Sequence, residues 1–243
     1  MLNEQTVEKM ERMKLFGMVQ VFKELMDKPQ HSDLSHDEFV GLLVDAELTS
    51  RENKRLERLL QNARLKHQSS MEDIDYRYPR GLHKQAVLEL ANSKWIQNHQ
   101  NVLISGPTGV GKTFIACAIG NAVCRVGYSV FYIRAPKLFT MMFSARADGS
   151  YLKVLGKLAK INLLVIDDVG ISPMNEIERK DLLEVVEERH LISSTIVASQ
   201  APIKDWYQII GDPTIADAIC DRLLHNAYKI ELKGESMRKN TKN

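Results

Sequence analysis

Eight consecutive residues carry the clearest chemistry in the chain: Gly106, Pro107, Thr108, Gly109, Val110, Gly111, Lys112 and Thr113. They meet the pattern GxxxxGK[ST] in full. The glycines let successive backbone N–H groups point into one concavity. A helix opening at the lysine adds the positive end of its dipole. Lys112 can reach the β- and γ-phosphates of a nucleotide, and Thr113 offers its hydroxyl to Mg2+. The apolar NVLIS comes before the loop and the helical TFIACAIGNAV after it, which is the context the motif requires. Phe114, next along that helix, is grouped with the loop as nucleotide-binding. ATP and Mg2+ are the expected ligands.

A second constellation is Leu163-Leu164-Val165-Ile166-Asp167-Asp168, an apolar strand that ends in two carboxylates. Unpaired charges are costly to bury, so the acids belong at the strand's end. Asp167 suits the Mg2+ shell, acting through water. Asp168 suits the base that orients or deprotonates an attacking water. By itself the pair could cap a strand as an acidic turn. After a phosphate loop it reads as the acidic half of a hydrolytic site.

Elements must place these groups together. From about residue 82 the sequence alternates helical stretches with short apolar runs. The runs are Asn101–Ser105, Ser129–Ile133, Ile161–Ile166, Ser194–Ser199 and Ala227–Leu232. This βαβ series predicts an α/β fold with a parallel five-stranded sheet covered on both faces. Ligands then lie beyond the carboxyl ends of the strands. Residues 1–68 show helical spacing instead, as in Met10, Met13, Phe16, Val19 and Phe22. Ser35 and Glu38 form a capping-box pattern before Phe39, Leu42, Leu43 and Ala46. A small all-helical domain of two to four helices is expected over 1–68, a linker over 69–81 and the nucleotide-binding domain over 82–243.

Composition narrows the function classes. The chain has 243 residues and a net charge of +2, so nucleic-acid binding must come from local clusters. Three cysteines, Cys117, Cys124 and Cys220, match no zinc spacing. His31 and His36 lie in a polar stretch without partners for a metal site. The first residues have no apolar signal core, and no apolar run approaches the roughly 20 residues that span a bilayer. A cytoplasmic protein without a membrane partner is the expectation.

The phosphate loop, LLVIDDVG, STIVASQ, DPTIADAICDRLLH and KGESMRK together resemble the IstB family. These are AAA+ ATPases that assist insertion-sequence transposition and are related to DnaC-type helicase loaders. The resemblance covers nearly the whole chain, including MKLFGMVQVFKEL and AELTSRENKRLERLL. It implies a γ-phosphate sensor at Gln200, an arginine finger at Arg222 that serves a neighbouring subunit, and a second sensor arginine at Arg238. It also implies double-stranded DNA, a cognate transposase and a ring or helical oligomer as partners. A helicase loader acting on single-stranded DNA and a replicative helicase is the alternative. Two departures, Asp168 where Glu is common and Gln200 where Asn is common, imply slow hydrolysis. Little chain follows Leu232, so the lid of many AAA+ proteins is expected to be small or missing. The resemblance places the linker near the base, with Asp73–Tyr78 as the candidate stretch.

Two basic clusters could neutralise phosphates without reading sequence. Residues 51–66 hold Arg51, Lys54, Arg55, Arg58, Arg64 and Lys66 against Glu52 and Glu57. The tail holds Lys229, Lys233, Arg238, Lys239 and Lys242 against Glu231 and Glu235. Arg134, Lys137, Arg146 and Lys153 follow the second strand and are further candidates. On charge alone, each cluster is equally a solvated surface.

Overall fold

The computed structural model describes residues 2–27, 34–92 and 94–237. Two compact units divide it, one ending at Arg58 and the other beginning at Leu59. The boundary falls inside a helix, ten residues before the expected position at 68.

In the first unit α1 (Leu2–Arg12) and α2 (Phe16–Met26) precede α3 (His36–Ala63), which runs on into the second unit. Ser35 and Glu38 cap α3 reciprocally: the Ser35 N–H donates to Glu38 Oε2 at 2.8 Å, and the Glu38 N–H to Ser35 Oγ at 3.3 Å. Val19, Phe22 and Leu43 are buried between α2 and α3. Phe22 meets Phe39 edge to face, ring centres 6.1 Å apart. The two helices approach very closely at Gly17, where a Cβ would lie 2.4 Å from the Ala46 carbonyl oxygen. The buried Glu47 carboxylate accepts from the Gly17 and Met18 amides at 2.8 and 3.3 Å. It satisfies donors that the first turn of α2 leaves open.

The second unit opens with residues 59–81. The expected linker is packed: Ser69, Met71, Ile74 and Arg80 are all buried, and Ser69 Oγ donates to the Phe114 carbonyl at 3.1 Å. Helices α4 (Lys84–Ala91) and α5 (Lys94–Gln97) lead to β1 (Asn101–Ser105). Then come α6 (Lys112–Arg125), β2 (Val130–Arg134), α7 (Ala135–Ala147), α8 (Tyr151–Lys160) and β3 (Leu163–Val169). The series ends with α9 (Glu176–Glu187), β4 (Ser194–Ser199), α10 (Trp206–Ile210), α11 (Pro213–Leu224) and β5 (Ala227–Glu231).

The sheet is parallel throughout, in the order β2-β3-β4-β1-β5. β3 and β4, in its middle, are almost wholly buried. Their continuous apolar runs suit strands covered on both faces. β1 and β4 span the expected residues, whereas β2 lies one residue further on and β3 begins two and ends three residues later, because ladder bonding continues past the apolar run. The order leaves β1, β3 and β4 adjacent, so their carboxyl ends share one edge of the sheet. Among the described residues no helix is long and apolar enough to cross a membrane.

Candidate functional site

The chain leaves β1 at Ser105 and enters α6 at Lys112, and the loop between them requires its glycines. Gly109 and Gly111 have φ of +87° and +94°, in the left-handed region that side chains disfavour. The buried Lys112 ammonium donates to the Gly106 and Pro107 carbonyls at 2.6 and 2.8 Å, so it lies along its own loop. Thr108 Oγ1 donates to Gln200 Oε1 at 2.8 Å, joining the loop to the end of β4. Thr113 Oγ1 donates to Asp167 Oδ2 at 2.8 Å, joining it to β3. Lys112, Thr113, Asp167 and Gln200 thus come together from three strand ends.

The acidic pair owes its arrangement to an irregularity. Ile166 pairs with Val197 and Val169 with Ser199, so three steps along β3 oppose two along β4. Asp168 sits in this bulge with φ of +62°, a conformation Asp tolerates better than most residues. Successive strand residues normally face opposite sides, and a bulge breaks that alternation. Both acids therefore reach groups that lie two apart on β2. Tyr132 donates to Asp167 Oδ2 at 2.7 Å, and Arg134 Nε donates to Asp168 Oδ2 at 2.5 Å. Asp167 Oδ1 also accepts the Asp168 amide at 2.9 Å. Its hydrogen bond and ion pair with Asp168 raise the pKa of Arg134. Burial, with Asp167 adding to it, pushes the Tyr132 hydroxyl far above its usual range.

Arg80 was not legible as a site residue. It is 2% exposed. Its guanidinium donates to the Val110 carbonyl at 2.8 Å and the Asp75 carbonyl at 2.9 Å, and contacts Met237 Sδ at 3.1 Å. Burial lowers its pKa. A Cβ on Gly111 would stand 2.4 Å from this guanidinium. The Met237 amide donates to the Gly109 carbonyl at 3.0 Å. The segment before the core and the segment after β5 are both fastened to the phosphate loop. No local pattern announces such contacts, since Arg80 and Met237 meet across most of the chain. Arg238, Lys239, Lys242 and His31 lie outside the described residues.

Arg222 stands apart from the loop. It lies in the last turn of α11, and its carbonyl accepts from Asn101 Nδ2 at 3.2 Å. Asn101 opens β1, so the length of that strand, roughly 13 Å, separates Arg222 from the phosphate loop. Its side chain forms an ion pair with Glu187.

Several candidate DNA contacts have partners within the chain. Arg51 is paired with Glu47 at 2.7 Å, Arg146 with the buried Asp181, and Arg134 with Asp168. Lys54 lies over the Phe16 ring, 4.6 Å from its centre. Arg55 and Arg58 are exposed on α3, Lys137 on α7 and Lys153 on α8.

The Thr113 hydroxyl and the Asp167 carboxylate are hard oxygen donors beside a phosphate loop, and this donor set fits Mg2+. No cluster of three or more His, Cys, Asp or Glu capable of holding a metal occurs among the described residues.

Residues 8–243 match the family described as IstB-like ATP binding protein. An insertion sequence ATP-binding protein, y4pL of Sinorhizobium fredii, is 45% identical over 240 residues, covering 99% of this chain and 98% of its own. Among solved structures, DnaI is similar with a TM-score of 0.58 and 20% identity, over 72% of this chain and 93% of that one. The replication initiator DnaA, solved with AMPPCP and single-stranded DNA, gives a TM-score of 0.59 and 19% identity, over 71% of this chain and 52% of that one. These likenesses to structures establish the fold, an AAA+ P-loop core. With its phosphate loop intact and its sequence matched almost end to end, the chain belongs to the family of IstB-like ATP-binding proteins.

Proposed function

We propose that the chain hydrolyses ATP, assembles on double-stranded DNA and assists a transposase in moving an insertion sequence. The observation that carries this reading is the convergence of Lys112, Thr113, Asp167, Asp168 and Gln200 at adjacent strand ends in a chain of this family. Lys112 would leave its loop carbonyls to neutralise the β- and γ-phosphates. Thr113 and Asp167 would hold Mg2+, which supplies further neutralisation of phosphate charge when bound. Asp168 would accept the proton of the attacking water, and Gln200 would report the γ-phosphate to the loop through Thr108.

Arg222 is too far along β1 to serve its own loop, which supports a role toward the ATP of a neighbouring chain. ATP would then favour the assembled state and hydrolysis would release it. Arg238 remains the candidate second sensor. Arg58, Lys137 and Lys153 are the candidates for backbone contacts with DNA. Arg51, Lys54, Arg55, Arg134 and Arg146 would first have to leave their intrachain partners.

Fluorescence anisotropy on labelled duplex and single strands, with ATP or ADP at fixed salt, tests the reading. Tight, ATP-dependent binding to duplex without sequence preference is expected. Preference for single strands would favour a helicase loader, and no DNA binding in either state would overturn the proposal.

A further inference from the structure

We infer that Tyr132 is a positioning residue for the metal side of the nucleotide site. The inference rests on the reading that a Mg2+-nucleotide binds at Thr113 and Asp167. Tyr132 lies at the middle of β2 and is 8% exposed, and the Asp167 carboxylate it meets is 1% exposed. Its hydroxyl donates to Asp167 Oδ2 at 2.7 Å, and Thr113 donates to that same oxygen at 2.8 Å. The Asp168 amide holds the other oxygen at 2.9 Å. Three donors therefore fix both the direction and the roll of one carboxylate.

Packing alone does not require the phenol oxygen. Phenylalanine would fill nearly the same volume without burying a hydroxyl, which costs free energy unless the group is bonded. Among the described residues, the hydroxyl's hydrogen-bond partner is Asp167. Groups that hold a metal ligand from behind typically change metal affinity 10- to 100-fold when removed. Two other donors remain on Asp167, which puts the effect at the lower end, about tenfold.

β2 also separates two tasks. Tyr132 holds Asp167, while Arg134, two residues on, holds Asp168. Removing the Tyr132 hydroxyl should loosen the metal side and leave the Arg134–Asp168 pair in place. The effect is expected in the Mg2+ dependence of binding, not in the phosphate loop's own affinity.

The test uses the full chain and a fluorescent, non-hydrolysable ATP analogue, titrated with Mg2+ and separately in EDTA. Tyr132→Phe should raise the Mg2+ concentration for half-maximal binding about tenfold, with affinity in EDTA and melting temperature nearly unchanged. On an Asp167→Asn background, Tyr132→Phe should add nothing further, because both act through one carboxylate. A Mg2+ shift below about twofold, an equal loss in EDTA, or full additivity with Asp167→Asn would overturn the inference alone. A wild-type chain that binds no nucleotide would overturn the proposed function and this inference together.

Discussion

Asp168 combines a carboxylate, a left-handed backbone and an arginine partner, and each has a consequence. Asn also tolerates φ of +62°, so Asp168→Asn keeps the bulge and removes the base. ATP turnover, measured as phosphate release, should fall on the order of 10²-fold or more, with nucleotide binding retained. Arg134 occupies Asp168 Oδ2, where a water proton would have to go. Arg134→Ala should therefore raise turnover without DNA severalfold and shrink any stimulation by DNA. Unchanged basal turnover would mean that the pair exerts no restraint. Lys112, Thr113 and both acids were legible in the sequence because a phosphate loop is a local pattern and an acidic strand end is another. Tyr132 and Arg80 were not, because their partners lie on other segments and their residue types are ordinary for a strand and a loop. Even Arg134, a candidate for DNA, gave no sign of its ion pair, which depends on the pairing of β2 with β3.

The strands illustrate what propensity reads well and what it misses. β1 and β4 each have a compact apolar middle bounded by polar residues, Asn101 and Ser105 in one and Ser194 and Ser199 in the other, so their limits are readable from the sequence. β3 continues through Asp167 and Asp168 as far as Val169, and its extra residue is invisible without the partner strand. The stretch 69–81 lacks periodicity and reads as a linker, yet irregular backbone can still pack, and Ser69, Ile74 and Arg80 anchor it. In the first unit the junction of α2 and α3 turns on Glu47. Burial raises the pKa of Glu47, but bonds from Arg51 and the Met18 and Gly17 amides outweigh this and hold it below the ordinary 4.5. A carboxylate with a depressed pKa stabilises the fold above its unfolded-state value, and the contribution fades as pH falls through the folded one. The first unit should thus weaken as pH drops below 4.5. Glu47→Ala should flatten that dependence and cost about 1 kcal/mol at neutral pH, as loss of a helix cap does. Circular dichroism melts at neutral and acid pH would measure both, and an acid dependence that persists in the variant would contradict the assignment.

At the scale of the molecule, the role proposed for Arg222 sets how many chains make one working site. Within its own chain it lies at the amino end of β1, paired with Glu187, while the phosphate loop lies at the carboxyl end. An arginine finger supplied by a neighbour is worth 10³ to 10⁵ in rate, so chains acting alone should turn over very slowly. In the proposed function, duplex DNA is the surface on which neighbours meet. The most direct measurement of this shared-site claim mixes two inactive variants, Lys112→Ala and Arg222→Ala, on duplex DNA with ATP. The first keeps a finger without a functional loop, and the second keeps a loop without a finger. Phosphate release that is absent from each variant alone and returns on mixing is the predicted result. A mixture as inactive as its components, or an Arg222→Ala chain with wild-type turnover, would contradict the account.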